Sequence, residues 1–501
     1  MLSDSTLQNG VAQTALELAL SIKLKKTGVL ETVSAYIEKV EKNDKQFNAF
    51  LTLSKESALN RAREIQARID KGEEISPLAG TPIAIKDNIS TIGVETTCAS
   101  KILKGYKPVF NAAIVEKLER AGMIVFGKLN MDEFALGGSS ETGAYGAVHN
   151  PWDISRVSGG SSGGSAAAIA SGQTPVALGT DTGGSIRQPC SFCGVTGIKP
   201  TYGSVSRYGI VAFASSLDQA GPIGQNIEDC AALLSIISGP DEKDSTCIME
   251  KPFDFSVRRT EMKDIKIGIP KNYLEGGIEE EVKTAVLSAA KEFESAGAKV
   301  EEFEMPLMDY MIPTYYIIAA AEVSSNLSKY DGLKYGYRSE NAKTLSEVYR
   351  LSRSEGFGME AKRRIMLGSF VLSSGYYDAY YKKALQARAL IKDAYNKLFG
   401  RFDIILSPTA PTTAYKLGDN IGDPVKMYMG DIYTVSINLA GLPAAALPCG
   451  FDKQGLPIGF QLIGNAFSEN KIIDVARVFQ SRTDYHKKRP AIAGGVTGGV
   501  Q

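Results

Sequence analysis

Two glycine- and serine-rich runs carry the most legible chemistry in this chain. The first is Ser158-Gly159-Gly160-Ser161-Ser162-Gly163-Gly164-Ser165 and the second is Asp181-Thr182-Gly183-Gly184-Ser185-Ile186-Arg187. A serine hydroxyl is a poor nucleophile until a base takes its proton, and the usual base is imidazole. This chain has only two histidines, His149 and His486, so lysine is the substitute to seek.

A serine that forms an acyl-enzyme needs a proton acceptor, a relay where the acceptor is not adjacent, and donors aimed at the developing oxyanion. Ser185 follows Thr182-Gly183-Gly184, where absent side chains let a carbonyl approach the backbone and the N–H groups of Thr182, Gly183, Gly184 and Ser185 can converge on it. Ser161, in the other run, could pass the proton along. Lys86 ends the apolar segment Ile83-Ala84-Ile85 and could be the final acceptor if it is neutral. Its pKa must then fall from ~10.4 to roughly 7 to 8, about 3 to 5 kcal/mol of differential stabilisation, which burial can supply.

Four other motifs compete. Gly122-Met-Ile-Val-Phe-Gly127-Lys128 matches the front of a phosphate loop, but Leu129 stands where Ser or Thr should hold magnesium, and an apolar strand fills the loop. The first run contains G-x-S-x-G centred on Ser161 and again on Ser162. A nucleophile elbow needs an apolar strand before it and a histidine after it, yet the only downstream histidine, His486, lies in a charged segment expected to be solvated. The run also precedes a helix start, Ser165-Ala-Ala-Ala-Ile-Ala170, where backbone N–H groups could cradle an anion or an oxyanion alike. Cys190 and Cys193 have CxxC spacing without a second ligand pair, so buried thiols are expected and no metal.

The elements that must position these residues alternate. Helical periodicity covers 12 to 43 as an amphipathic pair, and a charged helix spans 54 to 70. A buried strand is predicted at 83 to 85. Helix 112–121 precedes strand 123–126, and the same order recurs at 279–296 with 298–303 and at 376–399 with 403–407. Such alternation predicts an α/β layered sheet. Segment 241–263 is polar and reads as a surface excursion. Of 501 residues, 56 are Lys or Arg and 56 Asp or Glu, which excludes a global field for nucleic acid. Six scattered cysteines exclude a disulfide framework. The first twenty residues lack a signal-peptide pattern and no apolar run reaches the ~18 residues of a membrane span, so a cytoplasmic protein is expected.

Together the segments Gly80-Thr-Pro-Ile-Ala-Ile-Lys86-Asp-Asn-Ile, Ser158 to Ala168 and Asp181 to Gly194 resemble the amidase signature family. By that resemblance Lys86 is the general base, Ser161 the relay serine preceded by a cis peptide, and Ser185 the acyl-forming nucleophile. The resemblance also implies one α/β/α domain on a mixed twisted sheet over residues 1–501. Within it, 1–75 would hold N-terminal helices, 76–240 the catalytic signature core and 264–490 the substrate pocket.

The segments Glu360 to Gly368, Ser373 to Tyr381, Met427 to Ile432 and Asn438 to Pro443 further resemble the glutaminase subunits of tRNA-dependent amidotransferases. Free glutamine carries a carboxylate and an ammonium beside its amide, so its pocket wants a cation and an anion. By resemblance Arg364 takes the carboxylate and Asp431 the ammonium, with a hydroxyl from Tyr315 or, on an equally good alignment, Tyr316. The resemblance implies release of ammonia to a partner that amidates Glu-tRNA(Gln), or Asp-tRNA(Asn). Expected partners are a large tRNA-binding subunit that uses ATP and Mg, and a small subunit draped over this chain. A stand-alone amidase on small amides is the alternative.

Overall fold

Side-chain alternation along the strands sets the layers of the molecule, because successive residues of a strand face opposite sides of its sheet. In the computed structural model, which describes residues 14–73, 76–255 and 262–491, eleven strands form one mixed sheet. In spatial order they are β1 (Phe50–Leu53), β3 (Ile124–Leu129), β2 (Pro82–Lys86), β6 (Val176–Asp181), β8 (Gln219–Gly224), β7 (Thr196–Lys199), β12 (Ala444–Phe451), β13 (Pro457–Ile463), β11 (Ile404–Pro408), β9 (Lys266–Pro270) and β10 (Lys299–Phe303). The centre, from β6 to β11, is antiparallel, while β2 runs parallel to β3 and β6, and β9 parallel to β10 and β11. A separate hairpin joins β4 (His149–Asn150) and β5 (Asp153–Val157).

One face of the sheet buries a continuous apolar cluster beneath helices Ala113–Arg120, Ile227–Ile237, Glu280–Ser295 and Glu469–Arg482. Ile83 and Ile85 of β2 and Ile404 and Leu406 of β11 belong to it. The alternate residues look the other way, and there the core is split. Ala84 joins a cluster under the N-terminal helices and helix Gly163–Ala170, whereas Ile405 joins one under helices Met308–Asn326, Met359–Val371 and Tyr381–Phe399. By period two, Lys86 shares the side of Ala84, on this divided face.

Most sequence expectations match these elements, with informative differences. The amphipathic pair is Ala15–Lys23 and Val29–Asn43, with residues 12 and 13 outside the described residues. The last long helix before β11 begins at Tyr381 rather than 376, since residues 376–380 form turns that place Tyr376 and Tyr380 around Phe370. Segment 241–255 is irregular, as its polarity predicted, and 256–261 lies outside the described residues. The phosphate-loop match fails structurally, because Lys128 sits inside β3 and donates to Ile89 O at 2.5 Å and Thr96 Oγ1 at 2.8 Å.

The two halves of the chain meet at a buried ion pair. Arg187 donates through Nε and Nη2 to the two Asp181 oxygens, both at 3.1 Å. Its guanidinium also reaches Gln461 Oε1 at 2.8 Å, Asn438 Oδ1 at 2.6 Å and Thr434 O at 3.2 Å. Burial alone would raise the Asp181 pKa, but Arg187 outweighs it and holds the carboxyl well below its usual range. Removing one member of such a pair strands a buried charge, at a cost of about 3 to 5 kcal/mol. Arg187→Met is therefore expected to destabilise the protein by about that much in denaturant titration, and a loss under ~1 kcal/mol would refute the role assigned to the pair.

Candidate active site

β2 ends at Lys86, and its amine-bearing chain is wholly buried beneath the start of helix Gly163–Ala170. Nζ lies 2.7 Å from Ser161 Oγ, 2.8 Å from Ser162 Oγ and 3.3 Å from Thr180 O. Burial pushes the Lys86 pKa down from 10.5 to about 7, opposed by the charges of Asp132, Asp181 and Asp218.

Donor accounting gives this cluster a direction. Thr180 O can only accept. The Ser162 hydroxyl already gives its hydrogen to Thr180 O at 3.0 Å and accepts from Thr180 N at 3.2 Å. A neutral amine has two hydrogens and one lone pair. Its hydrogens go to Ser162 Oγ and Thr180 O, and its lone pair is left facing Ser161, the one neighbour with a proton to give. Ser162 thus orients the lysine, a role that its place in a repetitive Gly/Ser run concealed.

The peptide joining Gly160 to Ser161 is cis. Around it, Gly160 N–H donates to Gln188 Oε1 at 2.9 Å, and Gln188 Nε2 donates to Gly138 O at 2.8 Å. The Ser161 carbonyl accepts from Asp132 N at 3.3 Å. The next residue, Ser162, donates its N–H to Ser185 O at 3.1 Å, which sets the two Gly/Ser runs side by side. Ser185 is 7% exposed, and among the described residues its hydroxyl has no hydrogen-bond partner.

The four backbone donors expected at the second run are not equivalent. Gly184 N–H is committed to Asp181 Oδ1 at 2.9 Å, and Ile186 N–H to Asp181 Oδ2 at 3.1 Å. The same carboxylate that pairs with Arg187 therefore bends this loop and takes two of its donors, while the N–H groups of Thr182, Gly183 and Ser185 are not drawn to it. Gly184 has φ +136°, which side chains rarely adopt, and a methyl group on Gly183 would lie 2.5 Å from the Tyr315 hydroxyl. Thr182 Oγ1 donates to Asp218 at 2.6 Å, and burial raises the Asp218 pKa to about 6.

The C-terminal half supplies the opposite wall. Tyr315 and Tyr316 lie on helix Met308–Asn326, Arg364 on helix Met359–Val371. The alternatives left by sequence separate here: Tyr315 packs against Gly183, while Tyr316 donates its hydroxyl to Asp431 Oδ2 at 2.7 Å. Thr434 Oγ1 bridges Gly183 O at 2.5 Å and Asp431 O at 3.1 Å. Arg364 is buried, unlike exposed Arg363, and its guanidinium carbon lies 4.5 Å from the Tyr316 ring centre and 4.6 Å from that of Tyr428. Its Nη1 is buried with no partner among the described residues. Burial raises the Asp431 pKa to about 7, against the pull of the Tyr316 hydroxyl and Arg364.

Two expectations need correction. His486 is not solvated: it is buried, its backbone oxygen accepts from Gln225 Nε2, and burial lowers its pKa to about 4. None of its neighbours belongs to the serine cluster. Gly184 N–H, assigned to the oxyanion site, is occupied by Asp181 as described. Cys190 and Cys193 lie on helix Arg187–Cys193 with the Cys193 thiol donating to Ser158 O at 3.3 Å. No group of three or more potential metal ligands occurs among the described residues.

The layered mixed sheet carries Lys86 at the end of a strand and Ser161 and Ser185 in two glycine-rich runs, and the chain belongs to the amidase family, whose model matches residues 31–473. Among its relatives, the A subunits of glutamyl-tRNA(Gln) amidotransferase from Agathobacter rectalis and Lachnoclostridium phytofermentans are each 55% identical to it. The first comparison covers 96% of this chain and 95% of that protein, the second 95% and 98%. The crystal structure of the protein of that name from Thermotoga maritima superposes with a TM-score of 0.79 at 41% identity, covering 95% of this chain and 97% of that one.

The burial of Lys86 has a measurable signature. Between pH ~7 and ~10.5 the unfolded chain binds a proton at this lysine that the folded chain does not, so its contribution to stability rises with pH. The unfolding free energy of wild type minus that of Lys86→Met is expected to climb by roughly 1.4 kcal/mol per pH unit across this window. A flat difference would mean that Lys86 stays charged.

Proposed function

We propose that this chain is the glutamine-hydrolysing component of a tRNA-dependent amidotransferase. The observation that carries the reading is a shared wall at Gly183. On one side stand Ser185 and its free backbone donors, and on the other Tyr315 and Thr434 lead to Asp431, Tyr316 and Arg364. An acyl-transfer site and a pocket with one cation and one anion are thereby contiguous. The names of the relatives support the same reading.

In this mechanism Arg364 Nη1 takes the α-carboxylate of glutamine and Asp431 takes its α-ammonium. That cation favours the ionised form of Asp431, which otherwise would be half-protonated near pH 7. Neutral Lys86 accepts a proton from Ser161, which draws one from Ser185 as Oγ attacks the carboxamide carbon. The oxyanion meets the N–H groups of Thr182, Gly183 and Ser185. The proton returns through Ser161 to the amide nitrogen, the carbon–nitrogen bond breaks and ammonia leaves, with Ser185 esterified. Water attacks the ester by the reverse relay and releases glutamate.

We place ATP and magnesium on a large tRNA-binding partner that receives the ammonia and converts Glu-tRNA(Gln), or Asp-tRNA(Asn), to the amide, with a small third component completing the complex in the cytoplasm. The balance of charge, 56 basic and 56 acidic residues, supports leaving most tRNA contact to that partner. No helix among the described residues is long and apolar enough to cross a membrane.

With the chain and its co-purifying partners, Ser185→Ala is expected to lower glutaminase turnover by about 10³-fold or more, and His486→Ala to leave it within about threefold. Turnover retained in Ser185→Ala, or high activity of the isolated chain on simple amides with none on glutamine, would overturn the assignment. The wild-type kcat/KM is expected to fall tenfold per unit as pH drops below about 7, because protonated Lys86 has no lone pair for Ser161. A profile flat down to pH 5 would remove Lys86 as the base.

A further inference from the structure

Arg364 is useful to a substrate only if its free nitrogens face the pocket, and an arginine side chain has many rotamers in which they do not. What fixes it is Glu360, one helical turn earlier and on the same face. Glu360 is itself buried, and its Oε1 accepts from Arg364 Nε at 2.6 Å and from the Tyr428 hydroxyl at 3.1 Å. Its other oxygen accepts from Arg363. With Nε held from behind and the guanidinium carbon beside the stacked Tyr316 and Tyr428 rings, 4.5 and 4.6 Å from their centres, the group is held in place and Nη1 is left buried without a partner among the described residues.

We infer that Glu360, with Tyr428, is a positioning residue that determines selectivity for substrates bearing an α-carboxylate, a conclusion that rests on the proposed role of Arg364. The charge balance permits it. Two guanidinium groups, Arg363 and Arg364, share one carboxylate, so the cluster keeps one net positive charge for an incoming anion. Tyr428 ties the cluster to the 424–431 segment that carries Asp431, since its hydroxyl reaches Glu360 while its ring stacks on Tyr316 with centres 4.0 Å apart. Tyr316 in turn bonds Asp431. The spacing between the cation and the anion of the pocket is therefore set by one chain of contacts, Glu360 to Arg364 to Tyr316 to Asp431, with Tyr428 as its brace.

The test compares glutamine with 4-aminobutanamide, which is glutamine without its α-carboxylate, using the chain with its co-purifying partners. Wild type is expected to have a KM for glutamine at least about tenfold below that for 4-aminobutanamide. Glu360→Ala is expected to raise the glutamine KM about tenfold or more, with kcat within about threefold and the KM for 4-aminobutanamide unmoved. Glu360→Gln keeps an acceptor for Nε and is expected to recover most of the loss, while Tyr428→Phe shows a smaller rise of the same kind. If wild type does not discriminate between the two amides, the role of Arg364 fails. If wild type discriminates and Glu360→Ala still does so equally, or if both KM values rise together, the inference about Glu360 fails.

Discussion

The buried pair of Asp181 and Arg187 is the contact on which the site depends. Asp181 does two things with one carboxylate: it neutralises a guanidinium that would otherwise be stranded in the core, and it gathers the N–H groups of Gly184 and Ile186 so that the chain turns sharply at Ser185. Arg187 extends its other contacts to residues more than 240 positions away, at Thr434, Asn438 and Gln461. An ion pair of this kind is weak evidence for stability in itself, since burial of both charges opposes it. Its importance is geometric. The turn that carries Ser185 and the C-terminal elements that carry Asp431 and Thr434 are anchored to the same two side chains.

Burial also sets the chemistry of the amine. Burial of Lys86 under the sheet and the helix above it lowers its pKa to about 7 and so favours the neutral amine, while Asp132, Asp181 and Asp218 limit how far the pKa falls. In the proposed relay the direction of proton transfer follows from hydrogen-bond capacity, because Thr180 O and Ser162 Oγ take the two hydrogens of the neutral amine and Ser161 Oγ is the remaining neighbour of Nζ. Ser162, the second serine in the run, is thus bound into the setting of the Lys86 amine through Nζ and the backbone of Thr180.

How much of this was legible in the sequence depended on distance along the chain. The strand ending at Lys86 and the two Gly/Ser runs were readable because each is a local pattern, and the alternation of helices and strands predicted a layered sheet. The use of Asp181 to occupy Gly184 N–H was not readable, because a run of four donors does not reveal which one a nearby carboxylate will take. The burial of His486 escaped for a related reason: its neighbours Asp484, Lys487 and Lys488 are charged, but the backbone oxygen of His486 is held by Gln225 from another part of the chain. Glu360, Gln188 and Ser162 act as supports, and supports have no motif. Tyr315 and Tyr316, adjacent in sequence and alike in type, separate only when the helix turns one toward Gly183 and the other toward Asp431.

The division of one sheet face into two apolar clusters has a consequence for how such a protein can diversify. Lys86, Ser161 and Ser185 lie on strands and loops beside the first cluster, while Tyr315, Tyr316 and Arg364 come from helices over the second. The two sides touch at Gly183, Tyr315 and Thr434, and again where Arg187 reaches Thr434, Asn438 and Gln461. On the proposed function, replacing the helices from 308 to 371 would exchange Tyr315, Tyr316 and Arg364 while leaving Lys86, Ser161, Ser185 and Asp431 in place, so that new substrates are reached by re-roofing one half of a fixed floor.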